Sequence, residues 1–567
     1  MDWAKASLEK VERSRAERVD QAPPAISEDE AQALIEEYHP DYVGNERKIH
    51  VGPNADADSF PMELADLLES DSPVPQDFQP NADIETDVLI LGGGGAGVTA
   101  ALGLADSGLT VHLATKLRLG DANTVMAEGG IQAALGPSDS TRRHFADSYV
   151  GGHGKNDTGL LRILCEEGPA GIRWLTRLGA LFDQNEDGSF RFRQGGGTST
   201  PRVLACRDYT GLEIMRVLKN AVMSSATHVL EHHAAVELTD DGQDRVTGAV
   251  LWNTQTGKLV TVSARAVILA TGGSGQLRLQ GYATSNHMGA TGDGLILAYR
   301  QGCSLVFPGS HQYHPSGSSY PEALVGQLVT ESIRSAGAQF LNVNGERFID
   351  EMMVRDVVAA AIIREVREGR GIETPAGRRG VWLDTPLIEQ TKGKGTLAGQ
   401  FPGLIHRFKR YGIDPVTQPL LIYPTLHYQN GGIRIDADCR TEREGLWAAG
   451  EVTGGLHGTN RLMGNSLLDI IVFGRRVADG VQQNLPERGA LTLSRLNRYR
   501  QELKRLAHRP ETTAPQLYPR VSGMTFELKE IPKHEAEADA SPGPVKSFEP
   551  PDPCRSPRSC EDPSTRC

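Results

Sequence analysis

Residues 86–115, TDVLILGGGGAGVTAALGLADSGLTVHLAT, constrain the fold of this chain more than any other segment. Their pattern predicts a strand, a glycine-rich turn, a helix and a second strand. Gly92, Gly94 and Gly97 form a GxGxxG pattern between the first strand and the helix. Glycine there permits a tight turn and lets a pyrophosphate approach the start of the helix. A lone GxGxxG also occurs in plain tight turns, but this context favours a Rossmann-like α/β domain that binds a dinucleotide.

The end of the second strand indicates which dinucleotide is bound. An NAD-binding domain of this type usually carries an acidic residue there, which binds the ribose hydroxyls. This chain has Thr115 and Lys116 instead. The pattern therefore weakens the case for NAD.

The nucleotide-binding domain is predicted to be split by an insertion. Strand and helix patterns alternate up to residue 275, interrupted by a predicted β-meander at 245–262. Between 316 and 424 the pattern changes to an α+β block with a strong helix at 354–369. The predicted segments are an N-terminal extension and linker (1–83), the first segment of the nucleotide-binding domain (84–315), a capping domain (316–424), the second segment of the nucleotide-binding domain (425–487), a helical region (488–533) and a disordered tail (534–567).

Composition and charge exclude several classes of function. The net charge of −13 and the pI near 5.7 argue against a nucleic-acid-binding scaffold. No stretch is apolar and long enough to span a bilayer, and the N-terminus lacks the apolar core of a secretory signal. Within that N-terminus, SLEKVERSRAERV is predicted to form an exposed helix. We therefore expect a cytoplasmic protein without direct membrane insertion.

Cysteine spacing bears on the electron-transfer equipment of the chain. There is no CxxC pair, no haem-attachment motif and no ferredoxin-like run in the sequence. If the chain is a redox enzyme, it has no electron-transfer cofactor site of the haem or iron–sulfur type of its own. The three cysteines of the tail could bind a metal or dock a partner, but free thiols are favoured there.

Two further strings place cationic side chains on backbone that a ligand can approach closely. TLHYQNGGI (425–433) carries His427, and HGTNRLMGNSLLDIIVFG (457–474) carries Arg461. Glycine removes the Cβ barrier in both strings, which alone indicates only a small-anion site. Three more strings complete a set of polar anchors for one dicarboxylate: HQYHPSG (311–317), TESIR (330–334) and VRDVV (354–358).

In order and type these motifs resemble the succinate dehydrogenase/fumarate reductase flavoprotein family, which includes L-aspartate oxidase. The resemblance runs from about Glu85 to about Arg476. It implies a Rossmann-like FAD-binding domain split by an inserted α+β capping domain, with a short helical C-terminal region. It also implies hydride transfer between flavin N5 and a C4 dicarboxylate.

The resemblance assigns the residues that hold the substrate. By family position His314 and Thr330 clamp one carboxylate, while His427 and Arg461 clamp the other. A guanidinium suits this role because it binds a carboxylate through two parallel hydrogen bonds. Three other histidines have no family match and are expected to be structural: His311, His406 and His457.

Arg355 occupies the position of the family's proton donor. Ordinary pKa reasoning would not select arginine as an acid, because it is almost always protonated. The resemblance implies a relay in which Glu331 and Arg334 resupply the proton. The alternative is a simple ion pair between Arg355 and Asp356 at the start of a helix.

The resemblance also assigns a cofactor, FAD, and its contacts. The family often has a Ser/Thr–Lys pair after the second strand, so Thr115 and Lys116 fit FAD. Asp293 has a second interpretation, as a helix N-cap. The residues implied to bind FAD are Gly92, Gly94, Gly95, Ala96, Gly97, Thr115, Lys116, Asn123, Thr124, Glu128, Gly129, Gly130, Asp293, Glu451, Asn465, Ser466 and Leu467.

Two positions depart from the family pattern. Respiratory members bond FAD covalently through a histidine, and the matching residue here is Asn123, so we expect noncovalent FAD. The family commonly has a histidine at Gly197, near the substrate side of the flavin. This second departure leaves the identity of the substrate open.

Three functions follow from the resemblance. The first is a fumarate reductase/succinate dehydrogenase-type flavoprotein subunit that receives electrons from an iron–sulfur subunit. The second is L-aspartate oxidase, which shares the same site residues. The third is a catalytically silent flavoprotein subunit of a redox complex. The expected partners are a C4 dicarboxylate and an iron–sulfur subunit, through which the chain could lie at the inner face of a membrane, and no nucleic acid.

Overall fold

The computed structural model describes residues 1–42, 44–507, 510 and 512–519. The predicted disordered tail at 534–567, with its three cysteines, lies outside the described residues. So do residues 520–533 of the predicted helical region. The described residues belong to one compact unit.

The strands of the described part are given in chain order. They are β1 (Glu46–Lys48), β2 (Ser59–Pro61), β3 (Ile84–Leu91), β4 (Val111–Ala114), β5 (Ile131–Gln132), β6 (Val203–Leu204), β7 (His228–Leu230), β8 (His233–Asp240), β9 (Val246–Asn253), β10 (Leu259–Leu269), β11 (Leu305–Val306), β12 (His311–Ser318), β13 (Gln339–Leu341), β14 (Ile372–Glu373), β15 (Arg379–Asp384), β16 (Leu420–Gln429), β17 (Gly432–Ile433) and β18 (Leu446–Ala448).

The α-helices of the described part follow the same order. They are α1 (Lys5–Arg18), α2 (Glu28–Tyr38), α3 (Met62–Leu68), α4 (Gly95–Leu104), α5 (Thr141–Gly151), α6 (Thr158–Arg177), α7 (Thr210–Met223), α8 (Asp293–Arg300), α9 (Ser332–Ser335), α10 (Arg355–Arg367), α11 (Pro386–Lys392), α12 (Thr396–Gln400), α13 (Pro402–Lys409), α14 (Asn465–Gln483) and α15 (Ser494–Leu503). Short 3₁₀ turns lie at Asp2–Ala4, Asn123–Met126, Gly275–Leu277, Leu279–Gly281 and Glu322–Leu324.

A seven-stranded sheet forms the centre of the nucleotide-binding domain. Its strand order is β7–β4–β3–β10–β9–β8, and β18 pairs with the last residues of β10. The first residues of β10 pair antiparallel with β9, which confirms the predicted meander. Strands β3, β4, β7, β10 and β18 are parallel, so their carboxyl ends lie along one edge. The predicted strand, glycine turn, helix and second strand are confirmed as β3, α4 and β4.

A second, antiparallel sheet belongs to the inserted α+β segment. Its order is β12–β16–β15–β13, with β14 paired to β15. The predicted helix at 354–369 is confirmed as α10, and Gly369 follows its end with φ of +79°. This segment has a separate hydrophobic core, built from residues such as Phe340, Ile362 and Leu383. The predicted boundaries at 316 and 424 fall inside β12 and β16, because both strands run from the nucleotide-binding domain into the second sheet.

The helix predicted in the N-terminal extension is confirmed as α1, but its predicted exposure is wrong. Val11 is fully buried against the second sheet. Arg15 and Arg18 both pair with the buried carboxylate of Asp384 at the end of β15, at 2.9 Å and 2.7 Å. A helix rich in charged residues can pack here because two of its arginines are satisfied inside the protein rather than in water.

The region after α14 is only partly helical in the described residues. The expected basic helix is confirmed over Ser494–Leu503 as α15. In the portion of the chain that the structure describes, no helix has the length and apolar character that crossing a bilayer demands.

Candidate active site

The glycine-rich turn lines one end of a cleft at the carboxyl edge of the parallel strands. Gly92 has φ of +123°, and a Cβ there would lie 2.2 Å from the carbonyl oxygen of Ala270. A Cβ on Gly97 would lie 2.0 Å from the carbonyl oxygen of Gly92. A side chain fits neither position, so glycine keeps the turn close to the sheet. Gly94 is the N-cap of α4, whose amino terminus therefore opens at the cleft.

Lys116 and Asp293 form a polar pair at the far side of this cleft. Lys116 Nζ donates to Asp293 Oδ2 at 2.7 Å and to Thr291 Oγ1 at 2.8 Å. Asp293 is the first residue of α8, and its side chain caps no backbone amide of that helix. The N-cap interpretation of Asp293 is therefore wrong. Thr115, directly before Lys116, is buried and also lines the cleft.

Three hydrogen bonds hold the side chain of Asn123, which lines the cleft. Its Nδ2 donates to Asn286 Oδ1 at 2.7 Å and to Glu451 Oε2 at 3.3 Å. Its Oδ1 accepts from the His287 amide at 2.6 Å. Next to it, Thr124 Oγ1 accepts from the Gly95 amide at the start of α4, at 3.1 Å.

A second cavity, of about 710 Å³, continues from the first. Asn123, Thr124, Glu451 and Ile470 line both, so the two form one elongated cleft. Ser466 and Leu467 line the second cavity from the first turn of α14. The first amides of a helix have no intrahelical acceptor, so this turn offers donors to a bound group.

Of three other residues predicted to contact FAD, Asn465 is hydrogen-bonded within the protein and the other two are closely packed glycines. Asn465 Oδ1 lies 2.8 Å from His144 Nε2, and its Nδ2 donates to Ser148 Oγ at 2.9 Å. A Cβ on Gly129 would lie 3.1 Å from Met463 Sδ and 3.8 Å from Thr330 Oγ1. Gly130 has φ of +121° and no room for a side chain.

Glu128 is a titratable group in the wall of the second cavity. It pairs with Arg407, which comes from α13 of the insertion. Burial raises the pKa of Glu128 to about 7, although the charge of Arg407 acts in the opposite direction. The Oε2 atom is buried without a hydrogen-bond partner among the described residues.

The donor set of the elongated cleft fits an FAD molecule. The amino terminus of α4 and Lys116 suit a pyrophosphate and a ribose, which need donors and a local positive charge. The second cavity adds apolar walls, including Val125, Ala127 and Leu467, which suit a planar ring system. At Gly92 and Gly97 backbone atoms already occupy the space that a Cβ would need, so the turn that lines the cleft accepts only glycine at these positions.

Glu331 lies at the centre of a buried cluster of charges. Its Oε2 accepts from Arg355 Nε at 2.8 Å and lies 2.9 Å from Arg334 Nη2. Its Oε1 accepts from the Gly196 amide at 2.8 Å. Burial alone would raise the pKa of Glu331, but Arg355 and Arg334 outweigh it and lower the pKa to about 2. The predicted triad of Arg355, Glu331 and Arg334 is therefore a direct contact in the fold.

The two predicted histidines come together on adjacent strands. His314 lies on β12 and His427 on β16, with ring centroids 5.1 Å apart. Gln312 pairs with Tyr428 and Tyr313 with Leu426, so a β-bulge leaves His427 without an opposite residue. A bulge re-aims the side chain it carries, and His427 lines the second cavity.

Both histidines are neutral in this environment. Burial, followed by the charge of Arg355, holds their pKa values well below the usual range. The Ser316 amide donates to His314 Nδ1 at 3.2 Å, so the neutral ring carries its proton on Nε2. His427 Nδ1 lies 2.7 Å from Ser285 Oγ.

Arg461 and Thr330, the other two predicted substrate-binding residues, differ in the contacts that their side chains make. Arg461 lines the cavity and lies over the ring of Tyr428, 4.2 Å from its centroid. Burial and the charge of Arg355 lower the pKa of Arg461 to about 10. Thr330 is fully buried, and its Oγ1 has no hydrogen-bond partner among the described residues.

Comparison with known proteins assigns the chain to a family. The FAD binding domain family matches residues 87–467. A fumarate reductase (CoM/CoB) chain of Methanothermobacter marburgensis is 39% identical over 411 residues, 70% of this chain and 73% of the relative. L-aspartate oxidase of Streptomyces coelicolor is 37% identical over 412 residues, 70% of this chain and 69% of the relative. The E. coli quinol fumarate reductase chain FrdA has a TM-score of 0.67 at 30% identity, covering 74% of each chain.

This chain belongs to the succinate dehydrogenase/fumarate reductase flavoprotein family. It is an FAD-dependent oxidoreductase, as the sequence motifs predicted. The predicted α/β fold is also that of the solved flavoproteins it resembles.

Sequence reasoning missed one residue at the centre of this flavoprotein's candidate site. Gln312 Oε1 accepts from Arg355 Nη1 at 2.6 Å and from Arg461 Nη2 at 3.0 Å. Gln312 therefore joins the proton-donor candidate to the anion clamp. Its position two residues before His314, on the same strand, is the pattern that could have found it.

The alternatives for other residues are resolved by their contacts. Arg355 pairs with Glu331 rather than with Asp356, whose carboxylate binds His153 and Asn460. Gly197 has φ of +70°, and a Cβ there would lie 3.0 Å from Val354 Cγ1, so this flavoprotein leaves little room for the family's histidine.

Among the described residues, the side chains of the three histidines expected to be structural make no hydrogen bond or ion pair with the arginines or with Glu331. His311 is buried at the start of β12, with Nε2 3.3 Å from Ser274 Oγ. His457 lies 3.5 Å from Asp469, and His406 is exposed on α13.

Proposed function

We propose that this flavoprotein interconverts fumarate and succinate. The observation that carries the proposal is the charge of the buried cluster around Gln312. Arg334, Arg355 and Arg461 contribute three positive charges, and Glu331 is the one carboxylate that contacts two of them directly, so the cluster has an excess of positive charge over its contacting carboxylate. A buried uncompensated charge is costly, so a dianion is the ligand that this cluster binds best. A C4 dicarboxylate supplies two negative charges.

Each side of the site has donors for one carboxylate. Arg461 and His427 line the cavity and serve one carboxylate. The protonated Nε2 of His314 serves the other, together with the hydroxyl of Thr330, which has no hydrogen-bond partner in the described part of the chain. Neutral histidines donate without adding charge, so the binding of a dianion matches the charge of the arginines.

Arg355 is the proposed proton donor and acceptor. FAD, when bound, supplies or accepts the hydride. Glu331 is ionised at the working pH and contacts Arg355 and Arg334, so its carboxylate can pass a proton from Arg334 to Arg355. The helix α10 begins at Arg355 and holds its side chain against Gln312, which fixes the direction of the guanidinium.

L-aspartate oxidation is the second candidate, because an aspartate oxidase covers as much of this chain as a fumarate reductase does. The C4 skeleton and both carboxylates are common to the two substrates. The two substrates would be distinguished at Gly197, because the family commonly has a histidine at this position, near the substrate side of the flavin.

An iron–sulfur protein is the proposed electron partner. The sequence has no CxxC, haem or ferredoxin-like motif through which one-electron carriers could reload the flavin. Electrons therefore come from a partner that docks near the FAD-binding domain. Noncovalent attachment of FAD generally lowers the flavin potential, which favours fumarate reduction.

One experiment distinguishes these functions. The purified FAD-loaded chain is assayed for fumarate reduction with reduced viologen and for hydrogen peroxide production from aspartate with oxygen. We expect rapid viologen-driven fumarate reduction, and hardly any with NADH or quinol. Rapid peroxide formation from aspartate would transfer the protein to the oxidase class, and rapid NADH-driven turnover would contradict the proposed partner.

A further inference from the structure

A hydrogen-bond path joins the half-exposed side chain of His153 to the centre of the candidate site. His153 Nε2 donates to Asp356 Oδ2 at 2.5 Å. Asp356 Oδ1 accepts from Asn460 Nδ2 at 3.2 Å. Asn460 Oδ1 in turn accepts from Gln312 Nε2 at 2.9 Å. Because Gln312 binds both active-site guanidinium groups, the path ends at the residues that would hold and protonate the substrate.

Each residue of the His153–Asp356 pair lies beside the segment that carries one of these two arginines. Asp356 is the second residue of α10, directly after Arg355. His153 belongs to the turn at 152–157, which contacts the loop at 455–461 that carries Arg461.

Backbone contacts hold this turn and loop together. The Thr459 amide donates to the Gly152 carbonyl at 3.3 Å, and the Asp157 amide donates to the Gly455 carbonyl at 2.8 Å. Asn156 Nδ2 donates to the Leu456 carbonyl at 2.9 Å. The His153–Asp356 pair therefore connects a firmly packed turn of the FAD-binding domain to the capping helix α10.

We propose that His153 is a positioning residue that ties the start of α10 to the Arg461 loop, so that Arg355 and Arg461 face one substrate. This inference rests on the proposed dicarboxylate activity. His153 touches neither the cavity nor the arginines, so it acts through Asp356 and Asn460. A charged tie between the turn and the helix makes the geometry of the clamp dependent on the protonation of one histidine.

The surroundings of His153 determine the sign of the pH effect. The hydrogen bond to Asp356 raises the pKa of His153, against the smaller effect of burial. His39 and Asp41 face the same pair from the N-terminal extension, together with Tyr42. Burial lowers the pKa of His39 to about 4, so it is neutral, and Arg355 is the neighbouring cation on α10.

The sign follows from linkage. The paired state has the raised pKa, so the tie is complete below the ordinary histidine pKa and weakens as the pH rises through the raised value. A weaker tie loosens the start of α10 relative to the Arg461 loop. The KM for a dicarboxylate therefore rises with pH in this range, while kcat at saturation changes less.

Three variants at position 153 test this tie. His153→Gln keeps a donor but loses the charge, and His153→Asn suits the φ of +58° at this residue but is too short to reach. His153→Arg keeps a positive charge at every working pH. The matched control is His50→Gln, which breaks an exposed His–Asp contact of 2.7 Å far from the site.

We expect about a fivefold higher KM for fumarate at pH 6 in His153→Gln and His153→Asn, with a flattened pH profile. His153→Arg keeps a low KM at pH 8, where the unmodified protein has lost part of its affinity. His50→Gln leaves the profile unchanged. If His153 has only a structural role, His153→Arg will not keep a low KM at pH 8. A KM for this variant as high as that of His153→Gln overturns the proposal.

A second readout separates this inference from the proposed activity. Hydrogen exchange of the FAD-loaded protein is followed at 354–358 and 455–461, after correction for intrinsic pH dependence. Faster exchange in His153→Gln than in His50→Gln supports the tie, whatever the substrate is. A failure to reduce fumarate would then contradict the proposed function and leave the tie supported. Equal exchange in both variants overturns the tie even if fumarate is reduced.

Discussion

Arg355 Nε donates to Glu331 Oε2 at 2.8 Å, and both side chains are buried. The two residues come from different elements, because Glu331 precedes α9 and Arg355 begins α10. The pKa of Glu331 is lowered to about 2, because the charges of Arg355 and Arg334 outweigh its burial. The carboxylate therefore stays ionised at the pH of the reaction, as a proton relay between two guanidinium groups requires.

Replacement of Arg355 is expected to abolish turnover. Arg355→Gln and Arg355→Lys remove the donor atoms that contact Glu331 and Gln312, whereas the cleft assigned to FAD is untouched. We expect FAD to remain bound and fumarate affinity to change by less than about tenfold, about 1.4 kcal/mol. Turnover with reduced viologen checks this, and activity above a few per cent would assign the proton transfer to another residue.

Thr330→Val is expected to weaken substrate binding without weakening the fold. Thr330 Oγ1 is buried without a hydrogen-bond partner among the described residues, so its replacement by a methyl group removes no internal hydrogen bond there. We expect KM to rise about tenfold, about 1.4 kcal/mol, with an unchanged or slightly higher thermal midpoint. The matched control is Thr385→Val, which breaks a 2.6 Å bond to the Pro415 carbonyl and costs about 1 kcal/mol of stability with KM unchanged.

Acid precipitation is expected to release FAD into the supernatant. Asn123 stands where respiratory relatives carry the flavin-bonding histidine, and an amide cannot form that bond. Its side chain is engaged by Asn286, Glu451 and the His287 amide. The yellow absorbance of supernatant and pellet checks this prediction, and flavin that stays with the precipitated protein would contradict it.

Glu128→Gln is expected to change how stability depends on pH. Burial raises the pKa of Glu128 from 4.5 to about 7, so the folded protein binds more protons than the unfolded chain between these values. Stability therefore falls as the pH rises through that window, by up to about 3 kcal/mol for this group. The Gln variant should lose less stability between pH 5 and pH 8 in thermal unfolding. Exposed Glu487 provides the control as Glu487→Gln, and equal pH dependence in both variants would contradict the assignment.

The N-terminal extension shows where prediction from sequence failed. Its helix was predicted from local pattern, but its contact with Asp384, more than 360 residues away in the chain, was not. The run of charged residues indicated exposure because charged side chains are usually in water. Burial of Arg15 and Arg18 depends on one carboxylate that only the folded second sheet supplies.

The sequence by itself determined the elements whose cause is local. The glycine-rich turn before α4 follows from backbone geometry at Gly92 and Gly97, and α10 follows from its apolar periodicity and terminal glycine. The tertiary structure alone decided how the site is assembled. The β-bulge at His427, the bridge that Gln312 makes between two arginines and the His153–Asp356 tie each join residues distant in the chain. Such contacts depend on the register and packing of separate sheets, which local periodicity does not encode.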